Sequence, residues 1–205
     1  MKDKQDYIRD LEEIRLMMER SSKFLTLSGW AGIMAGIYAL SGAYIAYAVF
    51  RFNPNKITYN SGDLPANLTI VLLLAILVLV LALVTAIFLS RNKALKKDES
   101  IWNAASKQLL LNMAVPLAAG GIFILELISK NLIGLIMPLM LLFYGLALYS
   151  AGKFTYTEVK ILGLIQIGLG LISVFFIYYS LILWAAGFGL IHITYGIYMY
   201  FRYEQ

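Results

Sequence analysis

Few side chains in the apolar part of this sequence can do chemistry, and two of them fall near the middle of long apolar stretches. Gln166 and His192 lie at a similar depth in neighbouring stretches, where they could hydrogen-bond to each other or line a small polar cavity. A histidine changes its charge near neutral pH, which suits proton relay or pH sensing. A lone histidine without a neighbouring carboxylate is equally typical of an interhelical hydrogen bond. Both interpretations remain open.

Two further polar residues, Asn112 and Glu126, occur in a single apolar stretch. Asn112 is a candidate to line a path together with the central pair, since polar groups at membrane depth often mark pathways. Glu126 lies near the end of the stretch, and Lys130 follows four residues later. That spacing favours an exposed ion pair over a buried proton carrier.

The composition accounts for this scarcity of polar groups. The chain has 205 residues, of which 60% are hydrophobic and 14% charged, whereas soluble domains are about half apolar and about a quarter charged. The apolar residues come in long blocks, as expected for helices that satisfy their backbone groups internally in lipid. The sequence therefore predicts an all-α, polytopic transmembrane helix bundle. It contains no Cys, which excludes disulfides and thiolate sites.

Six transmembrane spans of about 20 residues are predicted, preceded by a separate N-terminal segment. No charged residue lies between Lys160 and Arg202, and a single helix of that length would rise roughly 60 Å, twice the hydrocarbon thickness. A tight turn is expected there, marked by the interfacial aromatic residues Tyr178, Tyr179 and Trp184. A five-span arrangement with one re-entrant segment is the alternative. The predicted parts are segment 1–23 and domain 24–203, with spans at 24–50, 66–90, 108–128, 132–151, 161–179 and 181–201.

The basic residues predict the orientation of these spans. All 17 Lys and Arg residues except Arg51, Lys56 and Lys130 fall on the side of the two termini. Since cytoplasmic flanks carry the excess of basic residues, both termini are expected in the cytoplasm. The net charge of +5 is spread over the span ends, and no basic helix with interleaved aromatic residues is visible, so nucleic-acid binding is not expected.

Segment 1–23 has the pattern of an amphipathic helix. Tyr7, Leu11, Ile14 and Met18 recur at spacings of four, three and four residues, which places them on one face. We expect this face to dock a cytoplasmic protein or a second copy of the chain. The alternative is a helix lying on the membrane surface, although its balanced charges are not typical of binding to anionic lipid.

Small residues recur along the first span. Ser28, Gly32 and Gly36 are spaced four residues apart, a pattern that lets two helix backbones approach closely in a membrane. Packing within the bundle is the first interpretation of this row. A homo-oligomer interface is the second.

The fourth and sixth spans share a short pattern. Tyr144 precedes Gly145, Tyr195 precedes Gly196, and each pair is followed four residues later by another tyrosine. A duplicated hairpin would produce this similarity, as in many transporters. Chance similarity between spans rich in Tyr and Gly is the alternative.

Motifs for nucleotide, zinc or acyl chemistry are not found in the sequence. We therefore expect no enzyme and no cofactor. The favoured function is an accessory or scaffold module in the membrane that docks partners through segment 1–23. The alternative is a small transporter or channel whose path is lined by Asn112, Gln166, His192, Tyr144 and Tyr195.

The stretch from Ile14 to Tyr47 reads IRLMMERSSKFLTLSGWAGIMAGIYALSGAYIAY. It resembles the opening of a family of small multi-span bacterial membrane proteins with no established activity. The resemblance covers about the first quarter of the chain. It implies a location in the bacterial inner membrane.

Overall fold

The computed structural model describes residues 28–52, 66–96 and 102–204, and within them it is helical. Six helices are long and apolar enough to cross a membrane. This confirms the predicted all-α bundle of transmembrane helices. Segment 1–23, with the proposed docking face, lies outside the described residues. The first five long helices are α1 (Gly29–Ala48), α2 (Ala66–Lys96), α3 (Ala104–Ser129), α4 (Ile136–Ala151) and α5 (Thr157–Phe175).

The sixth span, Ile177–Tyr203, consists of several pieces. A short 3₁₀ turn at Ile177–Tyr179 opens it, and helix α6 (Ser180–Ala185) follows. A stretch of π-helix at Ala186–Ile191 then leads into helix α7 (His192–Tyr203). Hydropathy cannot reveal this change of winding, because it does not alter the apolar pattern.

The tight turn between the last two spans occurs earlier than the aromatic residues predict. The backbone of Phe176, with φ −119° and ψ 57°, ends α5, so the predicted boundary at 179 is wrong by about four residues. Tyr178 and Tyr179 lie just after this turn, whereas Trp184 lies inside the sixth span. Because the sixth span forms a long helical path of its own, the structure favours six spans over five.

Other predicted boundaries are too short at the polar ends. Helix α2 continues to Lys96, α3 begins at Ala104 and α5 begins at Thr157. A charged residue ends an apolar stretch, but a helix can continue through it. The start of α3 has a clear local cause, since the side chain of Asn103 accepts from the Ser106 amide at 2.8 Å in a capping box.

The bundle has a core of α1, α4, α5 and the sixth span. Helix α1 packs on the sixth span and on α2, while α4 packs on α5 and α3. Helices α2 and α3 therefore lie at the periphery, and the most apolar stretch of α2 contains no fully buried residue. These exposed apolar faces are compatible with contact with a lipid bilayer. The bundle has two ends. At the Glu204 end, Glu204 contacts Gly29 and Lys93, and at the Phe52 end, Phe52 packs with Leu68 and Ile133.

Candidate functional site

The structure brings Gln166 and His192 together in the centre of the bundle. Gln166 is fully buried on α5, and His192, at the start of α7, is 5% exposed. The two side chains share one acceptor, the carbonyl oxygen of Gly187: Gln166 Nε2 and His192 Nδ1 each lie 2.8 Å from it. The polar pair is therefore an interhelical tie between α5 and the sixth span. A role in a pathway stays a prediction.

The shared carbonyl places a proton on one nitrogen of the histidine ring. A carbonyl oxygen only accepts, so Nδ1 of His192 must carry the ring proton that it donates to Gly187. In the neutral ring Nε2 is then an acceptor, and the hydroxyl of Tyr144 donates to it at 2.9 Å. The 3.4 Å contact between Gln166 Nε2 and His192 Nδ1 joins two donors, so it is not a hydrogen bond.

The π-helical stretch is what places Gly187 between these two donors. Such stretches are rare and occur frequently at functional sites. Gly187 is also closely enclosed, because a Cβ there would lie 2.6 Å from Gln166 Oε1 and 2.6 Å from Leu141 Cδ2, the ends of two buried side chains that would have to shift. Gly187 is not among the candidates that the sequence predicts. A glycine one turn before a buried histidine was the available signal, although it is a weak one.

Aromatic rings surround the polar cluster. The ring of Phe188 stacks on His192 with centroids 5.8 Å apart and an interplanar angle of 11°, and Tyr144 covers it with centroids 5.5 Å apart. Trp184 extends this stack towards the Phe52 end, 5.0 Å from Phe188. Such packing excludes water, which makes each hydrogen bond of the cluster stronger and each unmade bond more costly.

Three buried polar atoms lack a hydrogen-bond partner among the described residues: Gln166 Oε1, Ser173 Oγ and Trp184 Nε1. Ser173 lies two turns after Gln166 on α5, and both side chains are fully buried. Buried groups without partners are uncommon, and they mark places where a water or a ligand can be held.

The other predicted polar residues do not join the cluster. Asn112 donates to the carbonyl of Gln108, one turn earlier on α3, at 2.8 Å, so its side chain is bonded to its own helix and its role in a path stays a prediction. Helix α3, which carries Asn112, packs on α4. Glu126 pairs with Lys130 at 3.7 Å, with side chains 66% and 67% exposed, in agreement with the expected surface pair. Tyr195 is partly buried and packs near Tyr144 in an apolar cluster.

The row of small residues in α1 is used inside the bundle. A Cβ at Gly32 would lie 3.2 Å from Gly196 Cα, and a Cβ at Gly36 would lie 2.6 Å from the carbonyl oxygen of Gly189. Both glycines therefore face the sixth span, which supports packing within the bundle. Ser28 serves differently, since its hydroxyl lies 3.5 Å from Glu204 Oε2.

Glu204 joins three parts of the chain at its end of the bundle. Its Oε1 accepts from the backbone amide of Gly29, at the start of α1, at 2.7 Å. The same oxygen lies 3.0 Å from Nζ of Lys93 on α2, and these two side chains are only 13% and 12% exposed. The carboxylate therefore holds the start of α1, the end of α2 and the end of α7 together. The sequence analysis did not single out Glu204 or Lys93.

The described residues contain no group of three or more His, Cys, Asp or Glu side chains that could hold a metal ion. Tyr144, Gln166 and His192 instead form a neutral hydrogen-bonded cluster. The repeat of Tyr and Gly in the fourth and sixth spans stays a prediction. Gly145 approaches Gly163 of α5 and Gly196 approaches Gly29 of α1, so the two glycines have different partners.

Comparisons of this chain with family models, with curated proteins and with solved structures find no match. The resemblance of residues 14–47 to a bacterial membrane-protein family accordingly stays an expectation. The geometry of the molecule is what supports a functional proposal.

Proposed function

We propose that this chain is a non-enzymatic membrane module that docks a cytoplasmic partner, or a second copy of itself, through segment 1–23. The observation that carries the proposal is the arrangement around Glu204. This carboxylate holds Gly29 and contacts Ser28, the first described residues after segment 1–23, and it also holds Lys93 near the end of α2. The start of α1 and the end of α2 are thus tied together at one place.

The polar centre supports a structural role for the bundle itself. Hydrogen bonds join Tyr144 to His192, and join both His192 and Gln166 to the carbonyl of Gly187. Glycines also let α1 pack closely against the sixth span. A rigid bundle favours docking through segment 1–23, because less conformational entropy is then lost when the segment binds its partner. Charged groups that an ion or proton carrier usually requires are not part of this cluster.

The orientation is part of the proposal. We place the Glu204 end in the cytoplasm of a bacterium and the bundle in its inner membrane, because seven of the nine described basic residues, all except Arg51 and Lys130, flank the helices at this end. Reporter domains fused after residue 205 and, separately, within 53–65 should report opposite sides. A C-terminal reporter that is active only outside the cytoplasm would reverse the assignment.

Docking is tested with the full-length protein in membranes. Energy transfer between copies that carry different fluorophores reports self-association, and the size of the particles in nanodiscs gives the number of copies. Leu11→Lys with Ile14→Lys places two charges on the apolar face of segment 1–23. Gln5→Lys with Leu16→Lys adds the same charge on the opposite face, as judged from the 3.6-residue period. We expect the first pair to abolish energy transfer or binding of a cross-linked partner. The second pair should leave both intact.

Deletion of residues 2–20 should have the same effect as the Leu11 and Ile14 changes. Membrane insertion, followed by accessibility of a C-terminal tag, should remain normal in every variant. Unchanged association and unchanged cross-linking in both the deletion and the double variant would overturn the docking proposal.

A transporter remains the second candidate because two buried atoms, Gln166 Oε1 and Ser173 Oγ, lack partners on the same face of α5. Waters or a small polar solute held there would continue the polar centre towards the Phe52 end. Purified protein in liposomes should then show solute or proton flux that falls on His192→Ala. Equal flux in liposomes without protein would contradict this function.

A further inference from the structure

Helix α3 carries the polar side chains of its apolar part on one stripe. From Gln108 to Glu126, these polar side chains are Gln108, Asn112 and Glu126. Spacings that alternate between four and three residues connect them, which is the repeat at which two packed helices stay in contact. The stripe, called here the Asn112 stripe, consists of Gln108, Asn112, Val115, Ala119, Ile122 and Glu126. One side of α3 therefore holds every polar side chain of this stretch.

The Asn112 stripe faces outward from the bundle. Helix α3 packs on α4 with a different side, on which Leu109 and Leu127 are buried. On the stripe, Val115 is 72% exposed and Ile122 is 70% exposed. Polar residues within a membrane almost always face the interior of a bundle or a water-filled cavity. A polar stripe on the outside therefore indicates a neighbour beyond this single chain.

Asn112 has hydrogen-bonding groups that its own chain leaves unused. Its Nδ2 donates to the carbonyl of Gln108 at 2.8 Å, and this is the one side-chain hydrogen bond that it makes among the described residues. Its Oδ1 thus lacks a donor there, and Pro116, four residues later, has no N–H to give to the main-chain carbonyl of Asn112.

The depth of Asn112 makes these unused groups costly. Asn112 follows Ala104, the first residue of α3, by eight residues, or about 12 Å along the helix, which places it inside the hydrocarbon. Hydrocarbon provides neither donors nor acceptors, so a polar group exposed to it loses the hydrogen bonds it would make in water. Contact with a protein surface that supplies a donor would remove this cost.

A second copy of the chain supplies the matching surface. An asparagine amide both donates and accepts, so two Asn112 side chains related by a two-fold axis can each donate to the Oδ1 of the other. Ala119, two turns later on the stripe, lets the two backbones approach closely. Charge does not oppose the contact, because each Glu126 has Lys130 of its own chain 3.7 Å away, so two neutral ion pairs meet.

We propose that α3 pairs with α3 of a second copy along the Asn112 stripe, with the two Asn112 side chains hydrogen-bonded to each other. The two-fold axis runs along the membrane normal, so both copies of segment 1–23 emerge on the same side. This contact is separate from docking through segment 1–23. Energy transfer between copies therefore persists in the segment 1–23 variants, and the cross-linked cytoplasmic partner then reports docking.

The sequence contains no Cys, so introduced thiols can map the contact in the full-length protein in membranes. Ala119→Cys places a thiol on the stripe. Ala118→Cys is the matched control, because it places a thiol at nearly the same depth but about 100° around the helix, and both alanines are exposed. A disulfide needs two Cα atoms within about 7 Å. Under mild oxidation we expect about fivefold or more disulfide-linked dimer from Ala119→Cys than from Ala118→Cys. Equal yields, or no dimer from either variant, would overturn the proposal.

Asn112→Leu tests the hydrogen bond at the centre of the contact. Leucine keeps the apolar packing but cannot donate or accept, so dimerisation measured by energy transfer in vesicles should weaken about tenfold, the effect of two lost interhelical hydrogen bonds. Asn112→Gln keeps the amide and should retain most of the affinity. Because the side chain is not part of the buried core, Asn112→Leu should unfold at no lower temperature than the native protein. Unaltered dimerisation of Asn112→Leu would contradict the proposal.

A combined variant separates this pairing from docking through segment 1–23. Ala119→Cys is joined to Leu11→Lys and Ile14→Lys, and the disulfide between the two α3 helices should form as before. Loss of this disulfide would assign the contact between copies to segment 1–23 and overturn the pairing through α3. A disulfide that persists together with unchanged cross-linking of a cytoplasmic partner would support the pairing and contradict docking alone.

Discussion

The hydroxyl of Tyr144 lies 2.9 Å from Nε2 of His192, and in the neutral ring it donates to this nitrogen, because the other ring nitrogen donates to the carbonyl of Gly187. One neutral tautomer therefore satisfies both contacts. Since Tyr144 lies on α4 and Gln166 reaches the same carbonyl from α5, three spans meet at this ring.

Tyr144→Phe should destabilise the bundle more than Gln166→Leu does. Without the hydroxyl, Nε2 of His192 is a buried acceptor with no donor, a loss that costs about 1–3 kcal/mol. Leucine at position 166 removes one of two donors to Gly187 but also removes the unpartnered Oε1, so the two effects partly cancel. The measurement is thermal unfolding of both variants in the same detergent.

A double-mutant cycle completes this test. Tyr144→Phe combined with His192→Phe removes both ends of the contact, so the double variant should lose less stability than the sum of the single losses. Strictly additive losses would show that the 2.9 Å contact contributes nothing to stability.

Gly187→Ala should destabilise the protein by about 1–3 kcal/mol, because the added methyl group overlaps Gln166 Oε1 and Leu141 Cδ2. Gly168→Ala is the matched control, since a Cβ at Gly168 on α5 meets nothing within 4 Å. Alanine is also the better helix former, so this control should be neutral or slightly stabilising. Equal unfolding temperatures for the two variants would show that Gly187 is not tightly enclosed.

Pattern and hydropathy were sufficient to predict the class of fold. The six spans stand out in the sequence because lipid requires about 20 apolar residues for each crossing. The adjacency of Gln166 and His192 was also foreseeable, since two polar residues at equal depth in a short-turn hairpin must lie on neighbouring helices. The packing of Gly32 and Gly36 within the bundle was one of the two interpretations that their spacing allowed.

The remaining features depend on packing that no local pattern encodes. The π-helical stretch at Ala186–Ile191 positions the Gly187 carbonyl, yet its sequence, AGFGLI, has an ordinary apolar pattern. The contact between Lys93 and Glu204 joins residues more than a hundred positions apart, each of which resembles an ordinary polar span end. Asn112 was assigned to a path from its depth alone. Its place on peripheral α3 depends on how the spans pack around one another.

Gly196→Ala tests whether the small residues of α1 act within the bundle. A Cβ at Gly196 would lie 2.5 Å from the carbonyl oxygen of Gly29 and 2.6 Å from the amide of Ile33, and neither backbone atom can move aside easily. The crossing of α1 and α7 must then widen, at a cost of about 2 kcal/mol or more. Thermal unfolding should show this loss while the mass of the particle in detergent stays unchanged.

Gly121→Ala is the control, because Gly121 on α3 has open space around it. A change in oligomeric mass with unaltered stability would instead assign this surface to contacts between copies.

Glu204→Gln removes the negative charge of the carboxylate that joins α1, α2 and α7. The amide oxygen can still accept from the Gly29 backbone, but the attraction to Lys93 is lost, and these side chains are only 13% and 12% exposed. We expect a loss of about 1–2 kcal/mol in the free energy of unfolding, since the pair is mostly buried but lies at the end of the helices.

Glu126→Gln removes the charge from a pair whose side chains are 66% and 67% exposed, and it should change stability by less than about 0.5 kcal/mol. High salt should reduce the smaller effect more than the larger one, because exposed charges are screened more strongly. If both variants lose the same small amount of stability, the Glu204 carboxylate does not tie α1 to α2. The fixed base on which the docking proposal rests would then be absent.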